Sequence, residues 1–153
     1  MRLTSFTDYG LRILMCMAGD PERLFTTEVL ARELGLSRNH LLKVVRELAR
    51  ADILEARKGA RGGIFFARSP EDVTIGEVVR CLESRSPLVE CFRDDGGNCS
   101  LFPSCRLRHH LQAAREAFLA ELDRTSLADC AWPVSPEADF LSEARRVPWH
   151  PSL

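Results

Sequence analysis

A chain of 153 residues with 45% apolar side chains suits one packed domain, or one domain with an appendage. Its net charge of -1 excludes a uniformly basic or acidic protein. The longest apolar run, Ile13 to Gly19, is far too short to cross a bilayer, so no membrane partner is expected.

The start of the chain meets polar residues at once and shows no secretory leader, so a cytoplasmic location is expected. Charge is unevenly placed. Residues 1–68 hold twelve Lys and Arg against eight Asp and Glu, and residues 69–153 hold nine against fourteen. A basic N-terminal half suits a polyanionic partner.

Residues 7–19 are predicted to form a helix with Leu11, Leu14, Met15 and Ala18 on one face. Residues 26–34 form a second, with Thr26 or Thr27 as its cap. Gly35 can end that helix in the left-handed conformation, and Ser37 can cap the next. The third helix, Arg38 to Arg50, turns Leu41, Leu42, Val45, Leu48 and Ala49 inward. Arg38, Asn39, Lys43, Arg46 and Arg50 are left facing out. A short helix, a glycine turn and a helix with a basic start predict a helix-turn-helix.

Two short apolar stretches around Ile53 and Ile64 flank Arg57-Lys58-Gly59-Ala60-Arg61-Gly62-Gly63. That pattern predicts a β-hairpin wing. Thr74-Ile75-Gly76-Glu77 is a capping box that opens a helix to about Leu82. Arg106 to Leu122 is a long amphipathic helix, with Leu107, Leu111, Ala114, Phe118 and Leu122 at helical spacing. Little chain remains to cover that stripe, so the helix is expected to dimerise. Ser126 to Asp129 is a further capping box. From Ala131 onward come four of the chain's eight prolines, and this tail is expected to be peripheral.

The expected fold is therefore mainly α with a small β-hairpin wing. Residues 1–82 form a winged helix-turn-helix DNA-binding region and 83–104 a cluster-binding loop. Residues 105–130 form a dimerisation helix and 131–153 a Pro-rich tail. Ser37, Arg38, Asn39, His40 and Lys43 are the candidate recognition surface, since Arg pairs with guanine and Asn with adenine. Some of them touching only phosphate, or His40 packing, is the blander alternative. Arg57, Lys58, Arg61, Gly62 and Gly63 are the candidate wing contacts, cations on a backbone that can approach a ligand closely. A dimer would place two recognition helices about one DNA turn apart, so the operator is expected to be an inverted repeat of double-stranded DNA.

Cys91, Cys99 and Cys105 share one Gly-, Asp- and Asn-rich stretch. Their spacing is not that of structural zinc, which uses short paired steps and four ligands. A four-iron cluster held by three thiolates and one weaker ligand fits. Zinc with His109 or His110, or a thiol switch without metal, are the alternatives. Cys16 and Cys81 are expected in the core, and Cys130 near the surface. No nucleotide, flavin or hydrolytic motif is present, so an enzyme is not expected.

Leu3-Thr4-Ser5-Phe6-Thr7-Asp8-Tyr9-Gly10-Leu11-Arg12, Ser37-Arg38-Asn39-His40, Gly62-Gly63-Ile64 and Cys105-Arg106-Leu107 with Phe118-Leu119-Ala120-Glu121-Leu122-Asp123 complete the pattern. Together they resemble the small iron–sulfur winged-helix regulators, and among these the nitric-oxide-sensing repressors, from Met1 to about Asp129. The resemblance implies a homodimer with one [4Fe-4S] cluster per subunit, or [2Fe-2S] after oxygen exposure. It implies Cys91, Cys99 and Cys105 as ligands, with Asp8 supplied by the partner subunit. The cluster-assembly branch of the family instead uses a His three residues after the last cysteine, where this chain has Arg108. That branch also carries a Glu in the recognition helix where this chain has Lys43. The implied function is a dimeric repressor whose cluster is nitrosylated, releasing the promoter. Regulation by iron–sulfur supply or redox state in the same fold is the alternative, and a small electron-transfer protein a remoter one.

Overall fold

Three of the five α-helices among the described residues start on a threonine cap. The computed structural model describes residues 2–59, 62–102 and 104–132, and its first helix, α1, runs Ser5–Ala18. It begins two residues before the apolar periodicity does, because Thr4 caps it and accepts from the Thr7 amide at 3.3 Å. Thr26 caps α2 (Thr27–Leu34) through the Val29 amide at 3.2 Å, and Gly35 ends it at φ +63°. The third helix, α3, spans Arg38–Arg50 with Ser37 at its start, although the Ser37 side chain makes no capping bond.

The buried faces differ from the predicted stripes. In α1 the buried residues are Thr7, Gly10, Ile13, Leu14, Cys16 and Met17, while Leu11, Met15 and Ala18 are only half-buried. The reason is that α1 is covered from several sides. Both α3 and α4 (Ile75–Leu82) pack on it, and the Trp132 amide donates to Met15 O at 2.9 Å. A helix wrapped in this way has no single stripe. In α3 the inward set is Leu41, Val44, Val45 and Leu48; Leu42 is half-buried and Ala49 exposed. Val44 faces Gly10, but the glycine makes room for α4: an added Cβ there would stand 2.2 Å from Leu82 Cδ1.

The wing is an antiparallel hairpin of β1 (Leu54–Arg57) and β2 (Gly63–Phe66), with Leu54 opposite Phe66 and Arg57 opposite Gly63. Phe25 adds a third rung, its carbonyl accepting from the Ile64 amide at 2.8 Å. The neck is crowded. A Cβ on Gly62 would stand 2.5 Å from Arg57 O, and one on Gly63 2.8 Å from Phe25 O. Both glycines thus have a packing reason independent of any ligand.

Thr74 caps α4 through the Glu77 amide at 3.1 Å, but the Glu77 carboxylate pairs with Arg68 instead of closing the box. The last long helix, α5, spans Arg106–Leu122 as predicted. Only its C-terminal end meets the core, through buried Leu119 with Phe118 and Leu122; Leu107 is 60% exposed. Asp123 locks that end to α4, accepting from both Arg80 nitrogens at 2.6 and 2.5 Å and from Thr74 Oγ1 at 3.3 Å. The Ser126–Asp129 box closes in both directions, yet heads only a 3-10 turn, Ala128–Cys130. Of the predicted tail, residues 133–153 lie outside the described residues.

Gly76 is where α4 and α5 touch: an added Cβ would lie 2.1 Å from Asp123 Oδ1 and 2.8 Å from Leu119 O. Backbone cannot yield as a flexible side chain can. Gly76→Ala should therefore lower stability by about 1–3 kcal/mol in chemical denaturation. Arg80 also holds the Asp123 carboxyl below its ordinary value. That pair stabilises the fold above the ordinary Asp range and is lost as pH falls through it. Asp123→Asn should melt earlier than wild type near pH 7, with the gap narrowing as pH falls below the ordinary Asp range.

Candidate nucleic-acid interface and cysteine segment

Ser37, Arg38, Asn39, His40 and Lys43 are all exposed at the start of α3. They are not equally available. Arg38 pairs with Glu28 of α2 at 2.6 Å, a contact open to solvent on both sides and easily exchanged for phosphate. His40 stacks on Tyr9 of α1, ring centres 6.1 Å apart. Asn39, Lys43, Arg46 and Arg50 recur on one exposed face. Arg46 belongs with the recognition candidates, and its outward position was readable from spacing alone.

On the wing, Arg57 donates to both oxygens of Glu55 at 3.0 Å and lies 4.9 Å from the Phe65 ring centre. Lys58 is exposed at the tip, and Arg61 lies outside the described residues. Gly62 and Gly63 shape the neck as above.

The cysteine-bearing segment follows α4. A 3-10 turn, Glu90–Phe92, carries Cys91; Gly96 and Gly97 reverse the chain at φ +76° and +59°. The Asn98 amide donates back to Glu90 Oε1 at 3.2 Å, and Cys105 occupies the position that starts α5. All six cysteines are free thiols, and Cys91, Cys99 and Cys105 are half-buried. Among the described residues no three His, Cys, Asp or Glu groups stand together closely enough to hold a metal ion.

What the single chain does organise is Arg108. Its guanidinium carbon lies 5.8 Å from the Phe92 ring centre and 5.3 Å from that of Phe102. One ring follows Cys91 and the other stands between Cys99 and Cys105, so a side chain of α5 pins both arms of the segment. Arg108 Nε is buried without a hydrogen-bond partner among the described residues. Between the segment and α5 is a cavity of about 680 Å³, lined in part by Leu88, Phe92, Arg108 and Gln112. His109 and His110 are exposed on α5.

Asp8 stands on α1 with both carboxylate oxygens taken by Arg12, at 3.1 and 2.9 Å. Cys16 is in the core as expected, and Cys81 is half-buried; burial pushes both thiols up. Cys130, expected near the surface, packs half-buried against the core. Sequence reasoning missed Glu83 altogether. Its Oε1 accepts from the Thr4 amide, Thr4 Oγ1 and Thr7 Oγ1, partners up to 79 residues away that no local pattern links to it.

The helix-turn-helix, the wing bridged to Phe25 and the exposed basic face of α3 define a winged-helix DNA-binding protein. Residues 3–132 match the model of the Rrf2 family, described as iron-dependent transcriptional regulators. The chain belongs to the Rrf2 family. It is similar to the HTH-type transcriptional regulator NsrR of Geobacillus kaustophilus, 42% identical over 146 residues, which cover 95% of this chain and 99% of that one. It is also similar to NsrR of Bacillus subtilis, 41% identical over 130 residues covering 84% and 89%. Among solved structures, T. potens IscR superposes with a TM-score of 0.64 at 21% identity, covering 94% and 88%. The cysteine regulator CymR of B. subtilis does so with 0.64 at 24%, covering 86% and 96%. These two establish the shared fold. The chain is a transcriptional regulator and not an enzyme.

Two outcomes follow from burial and exposure. Iodoacetamide applied to reduced, metal-free native protein should label Cys91, Cys99 and Cys105 well before Cys16, as read by peptide mass mapping. Lys43→Ala and Arg46→Ala should each weaken DNA binding, and a lost phosphate contact should reduce the salt slope by about 1.

Proposed function

We propose that this regulator is a homodimeric repressor of an inverted-repeat operator whose iron–sulfur cluster senses nitric oxide. The observation that carries the reading is the whole-length similarity to NsrR in a chain whose three free thiols share one segment. The donor chemistry fits such a cluster. Three soft thiolates suit iron–sulfur ligation, and Arg108, whose buried Nε has no hydrogen-bond partner among the described residues, lies against Phe92 and Phe102 of the segment that carries them. Cys91, Cys99 and Cys105 would hold a [4Fe-4S] cluster, with Asp8 of the partner subunit as the fourth ligand. When bound, the cluster supplies iron reactive toward nitric oxide.

The chain's own residues make the switch. Asp8 has an alternative partner in Arg12, which takes both its oxygens here, so the carboxylate has two places to be. Its backbone is continuous with Tyr9, which stacks on His40 of the recognition helix. Moving Asp8 therefore shifts residues in contact with α3. A thousandfold drop in DNA affinity requires about 4 kcal/mol of differential binding.

Protein purified without oxygen should contain about four iron and four sulfide per chain. Nitric oxide should bleach its visible spectrum in step with release of DNA. Metal-free protein whose DNA binding ignores nitric oxide would refute the reading. Asp8→Ala should keep iron yet lose most of the nitric-oxide response; a wild-type response would remove Asp8 from the switch.

The family description, iron-dependent regulation, favours a second reading in which the signal is iron–sulfur supply. Release of DNA on iron depletion, with no response to nitric oxide, would select it.

A further inference from the structure

Glu83 ends α4 and immediately precedes the cysteine-bearing segment. A single oxygen, Oε1, accepts three hydrogen bonds, all from the start of α1: the Thr4 amide at 2.7 Å, Thr4 Oγ1 at 2.9 Å and Thr7 Oγ1 at 2.5 Å. Thr7 is the only buried polar side chain among the described residues. A buried hydroxyl is costly unless bonded, and a carboxylate is a stronger acceptor than a neutral oxygen. The carboxylate also faces the positive end of the α1 dipole. The start of α1 is thus capped from within by Thr4 and from the far end of α4 by Glu83.

Four consecutive residues then carry this contact inward. Thr7 holds Glu83, Asp8 holds Arg12, Tyr9 stacks on His40, and Gly10 lies bare against Leu82 of α4 and Val44 of α3. The segment beyond Glu83 borders a space of about 680 Å³ beside α5 and is held to that helix through Arg108 against Phe92 and Phe102. Near its N-terminal root, Glu83 supplies its hydrogen bonds to α1.

Building on the proposed cluster-dependent switch, we propose that Glu83 is the positioning residue through which the state of the cysteine segment reaches the recognition helix. Displacement of the segment pulls on the end of α4, shifts the Glu83 carboxylate relative to Thr4 and Thr7, and re-aims the start of α1. Because α1 contacts α3 three residues later, α3 moves with it.

The test compares wild type, Glu83→Ala, Glu83→Gln and Thr7→Val as full-length, iron-loaded protein under anaerobic conditions. The probe is a DNA fragment selected by the wild type from a randomised pool. The quantity read is the ratio of DNA affinities before and after nitric oxide. Glu83→Ala should lower that ratio about tenfold or more with iron content unchanged. Glu83→Gln keeps an acceptor oxygen and should restore most of it, and Thr7→Val should lower it several-fold. Amide exchange over α1 provides a readout without DNA: it should respond to nitric oxide in wild type and not in Glu83→Ala.

A Glu83→Ala protein with the wild-type ratio overturns the inference. Equal weakening in both states with the ratio preserved also overturns it, since that is a cap and nothing more. If Glu83→Ala does not fold, Thr7→Val decides, and an unchanged ratio there overturns the inference. Wild type without iron, or indifferent to nitric oxide, overturns the function proposed above and this inference with it. That failure shows in wild type and is distinct from one confined to the variants.

Discussion

Burial of α1 on several faces is the constraint on which the rest of the molecule depends. Its fourteen residues bring α3, α4 and the returning chain end into one hydrophobic core. Ile13, Leu14 and Met17 are fully or almost fully buried, and Gly10 removes the side chain that would hold the neighbouring helices apart. A helix so enclosed cannot shift without disturbing whatever packs against it, because protein interiors are close-packed and transmit strain. The recognition helix is one of those neighbours. Any influence on the start of α1 is therefore an influence on the DNA-binding surface.

The cysteine segment is built on the opposite principle. It has short turns, two glycines with positive φ, and a solvent-open, largely polar groove beside it. Its fixed points are few: the Glu90–Asn98 turn, Arg108 held against Phe92 and Phe102, and the junction at Glu83. A loosely packed segment with polar fixed points can change shape at modest cost, whereas the α1 core cannot. Joining the two through one charged hydrogen-bonding side chain gives a soft element purchase on a stiff one.

The same contrast runs along α5. Its C-terminal end belongs to the main core through Leu119, and Asp123 ties it to Arg80 and Thr74. Its N-terminal end shows Leu107 to solvent and offers Arg108 to the cysteine segment. One helix therefore spans the rigid and the adaptable parts of the chain.

The order of elements, the limits of α3 and α5, the wing and the three-cysteine segment were legible in the sequence. Each depends on local chemistry: threonine caps, the left-handed Gly35, 3.6-residue periodicity, and thiols clustered along the chain. Which faces are buried was legible only where a helix has a single covered side. The stripe predicted for α1 is only part of its covered surface because that helix is enclosed, whereas Val44 stands at helical spacing from Leu41 and Leu48 and its burial was readable from periodicity. The long-range contacts left no trace at all. Glu83 on Thr4 and Thr7, His40 on Tyr9, and Asp123 on Arg80 join residues 31 to 79 positions apart. The sequence by itself determined the winged helix-turn-helix and the grouping of three cysteines in one segment, since these follow from residue type and short-range spacing. Only the tertiary structure decided how the cysteine segment is joined to the DNA-binding helices, because hydrogen bonding across the fold depends on where distant backbones meet.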